Sequence, residues 1–183
     1  MELFNFLLFY SLFIVSIIGY GLFFSLKLTK YNNFTKTNIS VGFLGLFGVF
    51  FLILISYFTN LFIPHTNEHN IIIILLGIIF FFYLGSKYQG KIKFKYLFIS
   101  YIISLFAIFY FKSHDDFQFY HFSFIKNITE NKIEFGLGHF NYAFSHVSSL
   151  FYFNSLFKTY FTNHYFYQIG QACIMILVNS ILF

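Results

Sequence analysis

Arginine and tryptophan are absent from this sequence of 183 residues, and proline and cysteine occur once each, at Pro64 and Cys173. With a single cysteine, the chain can form neither an internal disulfide nor a CxxC metal site. Charged residues fill only 9% of the positions, whereas hydrophobic residues fill 58%. Soluble domains carry about 25% charged residues, so this chain has too few to cover a water-facing surface. The composition therefore excludes a soluble globular domain.

All the basic residues are lysines, and the formal net charge is +5. The lysines lie in short clusters between long apolar runs, which is the arrangement that orients a polytopic membrane protein. The positive charge therefore indicates no nucleic-acid partner. The partner that the composition predicts is membrane lipid.

Five apolar runs reach or approach the length of a membrane crossing. A crossing helix needs about 20 mostly apolar residues, and backbone groups in lipid must bond within their own segment, which favours helices. The predicted spans are Leu3–Leu26, Ile39–Ile63, Ile71–Gly85, Tyr96–Phe111 and Tyr165–Phe183. We therefore predict an all-α, polytopic helical membrane protein with about five transmembrane helices and one or two interfacial helices in an outer loop.

The distribution of lysine predicts the orientation of these spans. The first and third connections hold seven of the lysines, whereas the second connection, Pro64–Asn70, holds none. Positive loops stay in the cytoplasm, so the N-terminus, the second connection and the long polar segment should face outward. This divides the chain into a four-helix membrane region (1–111), an extracytoplasmic loop (112–164) and a fifth transmembrane helix (165–183).

The residues capable of chemistry are concentrated in the outer loop. Four of the six acidic residues and five of the seven histidines lie there, and Asp115 and Asp116 form an adjacent pair where the fourth span ends. Paired carboxylates at a membrane surface can act as a general base, as metal ligands or as helix caps.

The capping and metal interpretations both remain open at the level of sequence. Asp is a favoured N-cap, and Phe117, Tyr120, Phe124 and Ile128 recur at near-helical spacing, so an interfacial helix can start at Asp116. A divalent metal would be held by Asp115, Asp116 and His121, with His114 beside them. This set lacks the His-x3-His or cysteine pattern that marks zinc.

Two further segments follow in the loop. Gly136-Leu137-Gly138 predicts a turn and not a dinucleotide site, because it is not GxGxxG and follows no strand. Asn141–Phe157 is apolar but carries polar residues, which are costly in lipid. We therefore expect it to be an interfacial or re-entrant helix and not a full span.

This loop resembles the first outer loop of the GT-C class of polyprenyl-phosphate-dependent glycosyltransferases. That loop opens with an essential Asp, often followed four residues later by Tyr, and continues as two helices that lie along the membrane. Here Asp116 and Tyr120 match the pattern, and Phe117–Asn127 and Asn141–Phe157 match the two helices. Uncharacterised bacterial polytopic proteins of this type show a closer similarity, which extends over roughly residues 100 to 183.

The resemblance implies transfer of a sugar from a polyprenyl-phosphate donor to a cell-envelope acceptor, at the outer face of a bacterial inner membrane. Asp116, supported by Asp115 and His121, would be the catalytic carboxylate. The candidate substrate-binding residues are Tyr120, Lys126, Lys132, His139 and His146. Because the class uses further spans and later loops, we expect this chain to be the N-terminal part of a longer enzyme and to be inactive alone.

Two other functions fit the same composition. A transporter would place ionisable residues near the middle of its spans, and the predicted spans hold essentially none. A non-catalytic membrane scaffold or assembly protein would need nothing from Asp116. The effect of losing that carboxylate therefore separates the enzyme from the scaffold.

Overall fold

The computed structural model describes residues 2–28, 40–87, 94–110, 117–140, 142–145, 148–162 and 164–182. Four long helices come first: α1 (Glu2–Leu28), α2 (Val41–Asn60), α3 (Asn67–Lys87) and α4 (Phe94–Tyr110). Shorter elements follow: a π-helical turn (Phe117–His121), α5 (Phe122–Glu130), α6 (Leu137–Phe140), a 3-10 turn (Tyr142–Ser145), α7 (Ser149–Ser155), a second 3-10 turn (His164–Gln168) and α8 (Ile169–Leu182). These ranges contain no β-strand, so the all-α prediction is confirmed for the described part of the chain.

Three of the predicted spans are helices long and apolar enough to cross a membrane: α1, α2 and α3. The third is longer than its apolar run, because Asn67–Asn70 and Ser86–Lys87 continue the helix at its two ends. The other two predicted spans correspond to apolar helices at Phe94–Tyr110 and Phe166–Leu182, which are shorter. Membrane association follows from the three long helices, whereas the count of five spans stays a prediction.

The described chain forms two compact units. The first comprises Met1–Leu52, Ile74–Phe111 and Gln171–Phe183. Within it, glycines let the helix backbones approach closely. A methyl group added at Gly48 of α2 would overlap the carbonyl oxygen of Ile17 of α1, and one added at Gly19 would overlap that of Gly77 in α3. Small residues at crossings are typical of helices that pack in lipid, where association depends on close contact.

We expect Gly48→Ala to lower the free energy of unfolding by about 1–3 kcal/mol, the usual cost of overpacking a tight contact. Gly85→Ala is the matched control, because a methyl group there meets nothing within 4 Å. The measurement is the thermal midpoint of each purified variant in detergent. Equal midpoints for the two variants would contradict the close crossing of α1 and α2.

Polar side chains join α4 to α1 in the same unit. The hydroxyl groups of Tyr10 and Ser104 lie 2.9 Å apart, and those of Ser11 and Tyr101 lie 3.0 Å apart. The rings of Tyr10 and Tyr101 stack with centroids 5.3 Å apart. Hydroxyl pairs of this kind stabilise helix contacts in lipid, where water cannot satisfy them.

Large apolar side chains cover the exposed surface of the long helices. A soluble protein rarely exposes a contiguous apolar patch of more than a few hundred Å², whereas a lipid-facing surface is apolar throughout. The exposed residues include Phe43, Phe50, Ile72, Ile79, Phe82, Phe98, Ile103 and Phe106. This exposure agrees with the membrane location that the composition predicts.

The second unit comprises Ile53–Ile73 and Lys112–Gly170. Its core contains Phe117, Phe124, Ile125, Ile128, Phe151, Tyr152 and Tyr167. The strongly amphipathic helix α5 directs Phe124, Ile125 and Ile128 into this core and leaves Lys126 and Glu130 exposed. The outer loop thus buries a core of its own, together with the second connection and the helix ends that flank it.

The two predicted interfacial helices differ in their outcome. The helix predicted over Phe117–Asn127 is confirmed, because the chain is helical without interruption from Phe117 to Glu130, whereas its interfacial position stays a prediction. The second, predicted over Asn141–Phe157, is much shorter: α7 covers only Ser149–Ser155, with Ser148 Oγ accepting from the amide of Leu150 as its cap. Seven helical residues extend about 10 Å, so α7 does not cross a membrane, in agreement with the expectation for this segment.

Candidate functional site

Three of the predicted site residues lie outside the described part of the chain. They are the acidic pair Asp115 and Asp116, and His146. The described helix begins at Phe117, directly after Asp116. Capping by Asp116 and its role as a base therefore both stay predictions.

Tyr120 and His121 lie in the π-helical turn that opens the outer loop. Both are half-buried. Their ring centroids are 4.2 Å apart, and the His121 ring lies 4.9 Å from that of Phe151 in α7. The turn thus brings the two residues together against the second short helix, where aromatic packing limits how far the imidazole of His121 can turn.

The other described candidates are exposed. Lys126 lies 3.8 Å from Glu130 in an i,i+4 pair on the surface of α5, an arrangement that contributes little to stability. Lys132 follows the end of α5 and lines a pocket, whereas His139 lies on the single turn of α6. The expected turn is confirmed at Gly136, which adopts a φ of +87° that favours glycine.

The metal prediction depends on residues that are not described. Of Asp115, Asp116 and His121, only His121 has a described position. Over the described ranges, three His, Cys, Asp or Glu side chains nowhere come together as a set able to hold a metal. The acidic pair with His121 stays the predicted metal set.

A buried polar cluster around His65 was not foreseen from the sequence. His65 is fully buried in the second connection. Nε2 lies 3.1 Å from both the Ser56 carbonyl oxygen and the Thr59 hydroxyl oxygen. Nδ1 lies 2.7 Å from the hydroxyl oxygen of Ser155, which itself donates to the Tyr152 carbonyl oxygen. Burial lowers the pKa of His65 to about 3, with the neighbouring His69 ring acting in the same direction. His65 is therefore neutral at physiological pH.

Two buried asparagines attach the second connection to the outer loop. Asn70 Nδ2 donates to the carbonyl oxygens of Ser155 and Lys158, both at 2.8 Å. Asn60 Nδ2 donates to those of Ile128 and Asn131 at 3.3 and 3.2 Å. The carbonyl groups that accept these bonds lie where the short helices α5 and α7 end. Carbonyl groups at a helix end lack donors within the helix, and the asparagine amides supply these donors.

The sequence held one signal for this cluster. The second connection has no lysine although polar residues follow its single proline, and the buried part of a connection needs polar groups that pair internally. The partners themselves were not readable, because Ser155 is 90 residues from His65 along the chain.

A pocket of about 270 Å³ opens beside the end of α5. Its polar lining includes Asn60, Asn127, Asn131, Lys132 and Glu134, and its apolar lining includes Tyr57, Phe124, Phe144 and Tyr152. All of these residues belong to the second unit. Of the predicted substrate-binding residues, Lys132 is therefore the one that lines this pocket.

Comparison of the chain with protein-family models, with curated proteins and with solved structures finds no match.

Proposed function

We propose that this protein belongs to a membrane glycosyltransferase that moves a sugar from a polyprenyl-phosphate donor to a cell-envelope acceptor at the outer face of a bacterial inner membrane. One observation supports the proposal most. The segment directly after the acidic pair folds as helices that are each shorter than a membrane crossing and that pack together through Phe124, Phe151 and Tyr152. The resemblance to GT-C enzymes implies helices of this kind after the essential Asp.

The proposed chemistry takes place at the start of this segment. The acceptor hydroxyl attacks the anomeric carbon, the bond from that carbon to the phosphate oxygen breaks, and the acceptor proton passes to Asp116. A carboxylate within hydrogen-bond reach of the acceptor can take this proton. The leaving phosphate carries the electron pair and needs cationic stabilisation.

Other residues of the loop would assist. Asp115 would support Asp116 or share a divalent metal with it, and that metal would stabilise the charge on the leaving phosphate. His121, which packs against Tyr120 and Phe151, would hold the acceptor or the metal. The exposed amines of Lys126 and Lys132 would attract the phosphate of the lipid-linked donor.

The hydrogen bonds of the second unit support the proposed orientation. The amide of His65 donates to the Ile128 oxygen at 3.0 Å, and the amide of Ile133 donates to the Asn60 oxygen at 2.9 Å. These bonds support the proposal that the second connection and the outer loop lie on one side of the bilayer. The lysine-free second connection favours the outer side.

Single cysteines introduced into a Cys173→Ala background test the orientation. We expect cysteines at Glu68 and Glu130 to react with an impermeant thiol reagent in intact cells, since both side chains are exposed in the second unit. Cysteines at Phe34 and Gln89, in the lysine-rich connections, should react only after the cells are lysed. Labelling at position 34 or 89 in intact cells would contradict the orientation, and different labelling of positions 68 and 130 would contradict the shared unit.

The Asp116→Asn substitution tests the transferase itself. The quantity to compare is the glycan or lipid-linked product in cells carrying each form of the full-length protein, normalised to protein level. Loss of product at normal protein level supports the transferase. Wild-type product would favour the scaffold function, which needs nothing from this carboxylate.

A further inference from the structure

We infer that the pocket beside the end of α5 binds an uncharged sugar ring. The pocket measures about 270 Å³, which is just below the usual range of small-molecule sites, about 300–1,000 Å³. A single sugar ring suits a site of this size. The role of the sugar rests on the proposed function. The binding of a sugar ring is supported independently by the lining of the pocket.

Asn60 provides the first argument. Its side chain lines the pocket and is only 1% exposed, with Nδ2 donating to backbone carbonyl oxygens of the unit. Oδ1 is also buried, and the described residues offer it no hydrogen-bond donor. A buried hydrogen-bond acceptor that lacks a donor lowers the free energy of unfolding by about 1–3 kcal/mol. A hydroxyl group of a ligand in the pocket can supply that donor after a small shift of the side chains around Oδ1, which has almost no accessible surface of its own.

The rim of the pocket adds a connected set of polar side chains. Asn131 Nδ2 donates to Asn127 Oδ1 at 2.7 Å, and Asn127 Nδ2 donates to Glu134 Oε2 at 3.2 Å. These bonds fix both amides and the carboxylate around the opening. Side chains that both donate and accept, placed in this way, match the hydroxyl groups of a sugar, each of which can do either.

Part of the pocket lining is aromatic. The rings of Tyr57 and Tyr152 stack with centroids 4.0 Å apart, and the ring of Phe124 lies 5.5 Å from that of Phe144. Carbon-bound hydrogens cover one face of many sugar rings, and such a face packs on aromatic rings. A lining that combines aromatic rings with polar side chains therefore matches both the apolar face and the hydroxyl groups of a sugar.

The charge of the lining favours a neutral ligand. Lys132 and Glu134 both line the pocket and have opposite charges, so the lining has no net charge. A free phosphate would lie close to the carboxylate of Glu134, and like charges at short distance repel. A sugar hydroxyl can instead donate to that carboxylate in a charge-assisted hydrogen bond.

A single tryptophan reporter makes the inference testable. The chain has no tryptophan, and Phe135 lines the pocket while its side chain is 87% exposed. We expect the fluorescence of Phe135→Trp to change saturably on titration with methyl glucoside, methyl galactoside or N-acetylglucosamine, in a detergent whose headgroup is not a sugar. Phe119→Trp is the control, since Phe119 is 78% exposed in the same unit and does not line the pocket.

Substitution of the carboxylate refines the test. In the reporter background, Glu134→Gln should weaken sugar binding about tenfold, the usual effect of losing one charge-assisted hydrogen bond. Glu130→Gln removes the same charge from a residue outside the pocket and should change nothing. Saturation-transfer NMR on the chain without tryptophan repeats the comparison if the reporter variant does not fold.

The result that overturns the inference is equally specific. No saturable response to any of the sugars, the same response from Phe119→Trp, or a response to inorganic phosphate alone would each overturn it. Because binding is read without turnover, its failure is distinct from that of the transferase. Wild-type product from Asp116→Asn together with sugar binding would refute the transferase and leave the pocket assignment standing.

Discussion

Replacement of Asp116 by Asn is expected to leave the full-length protein in the membrane at its normal level and to lower the rate of sugar transfer by about two to four orders of magnitude. Asn has nearly the size of Asp and remains a good N-cap. It lacks the negative charge and nearly all of the basicity. The substitution therefore removes the proposed proton acceptor while keeping the start of the helix at Phe117.

Two further substitutions separate the roles that Asp116 can play. If Asp116 only caps the helix, Asp116→Ala should cost about 1 kcal/mol of stability, whereas Asp116→Asn should cost little and leave the product unchanged. Asp115→Asn should reduce transfer less than Asp116→Asn does. Equal losses from the two Asn variants, with partial recovery on addition of a divalent ion, would instead indicate a metal shared by both carboxylates.

Acidification is expected to destabilise the protein through His65. The pKa of His65 is about 3 in the folded protein, against 6.5 for an unperturbed histidine. At pH values between 3 and 6.5, His65 is therefore protonated in the unfolded state and neutral in the folded state. The contribution of this group to stability is complete above pH 6.5 and is lost as the pH falls toward 3. We expect the free energy of unfolding to fall by about 2 kcal/mol by pH 5 and by about 3 kcal/mol by pH 4.

The matched variants for this prediction are two histidine substitutions. His65→Asn removes the titrating group, so its stability should be lower at neutral pH but should depend much less on pH between 6.5 and 4. His139→Asn removes an exposed histidine and should keep the slope of the unmodified protein. The His69 ring stacks on the His65 ring, with centroids 4.8 Å apart. The pH dependence of the His69→Asn variant is therefore measured as well. A slope that persists in His65→Asn and disappears in His69→Asn would contradict the assignment to His65.

The long helices were predictable from the sequence because the signal for a membrane span is local. A run of about 20 apolar residues identifies a span without knowledge of its neighbours, and α1, α2 and α3 lie where such runs occur. The helix over Phe117–Glu130 was predictable for the same reason, since the 3.6-residue period of Phe117, Phe124 and Ile128 specifies one buried face.

The ends of elements were predicted less well. The apolar composition of Asn141–Phe157 did not show that the α-helical part of its described residues would be Ser149–Ser155. Helix α3 begins at Asn67, before its apolar run, and Asn70 in its polar first turn donates to carbonyl groups of the outer loop. Hydropathy measures transfer into lipid and does not detect such partners.

The sequence by itself determined that the chain is helical, that it associates with a membrane, and that its polar chemistry is concentrated after the fourth apolar run. Those properties depend on composition and on periods of a few residues, which act within one segment. Only the tertiary structure decided that the second connection belongs with the outer loop, that His65 is buried and neutral, and that Asn60 and Glu134 line one pocket. These features depend on hydrogen bonds between segments 68 to 90 residues apart, whose partners a local pattern of residue types does not specify.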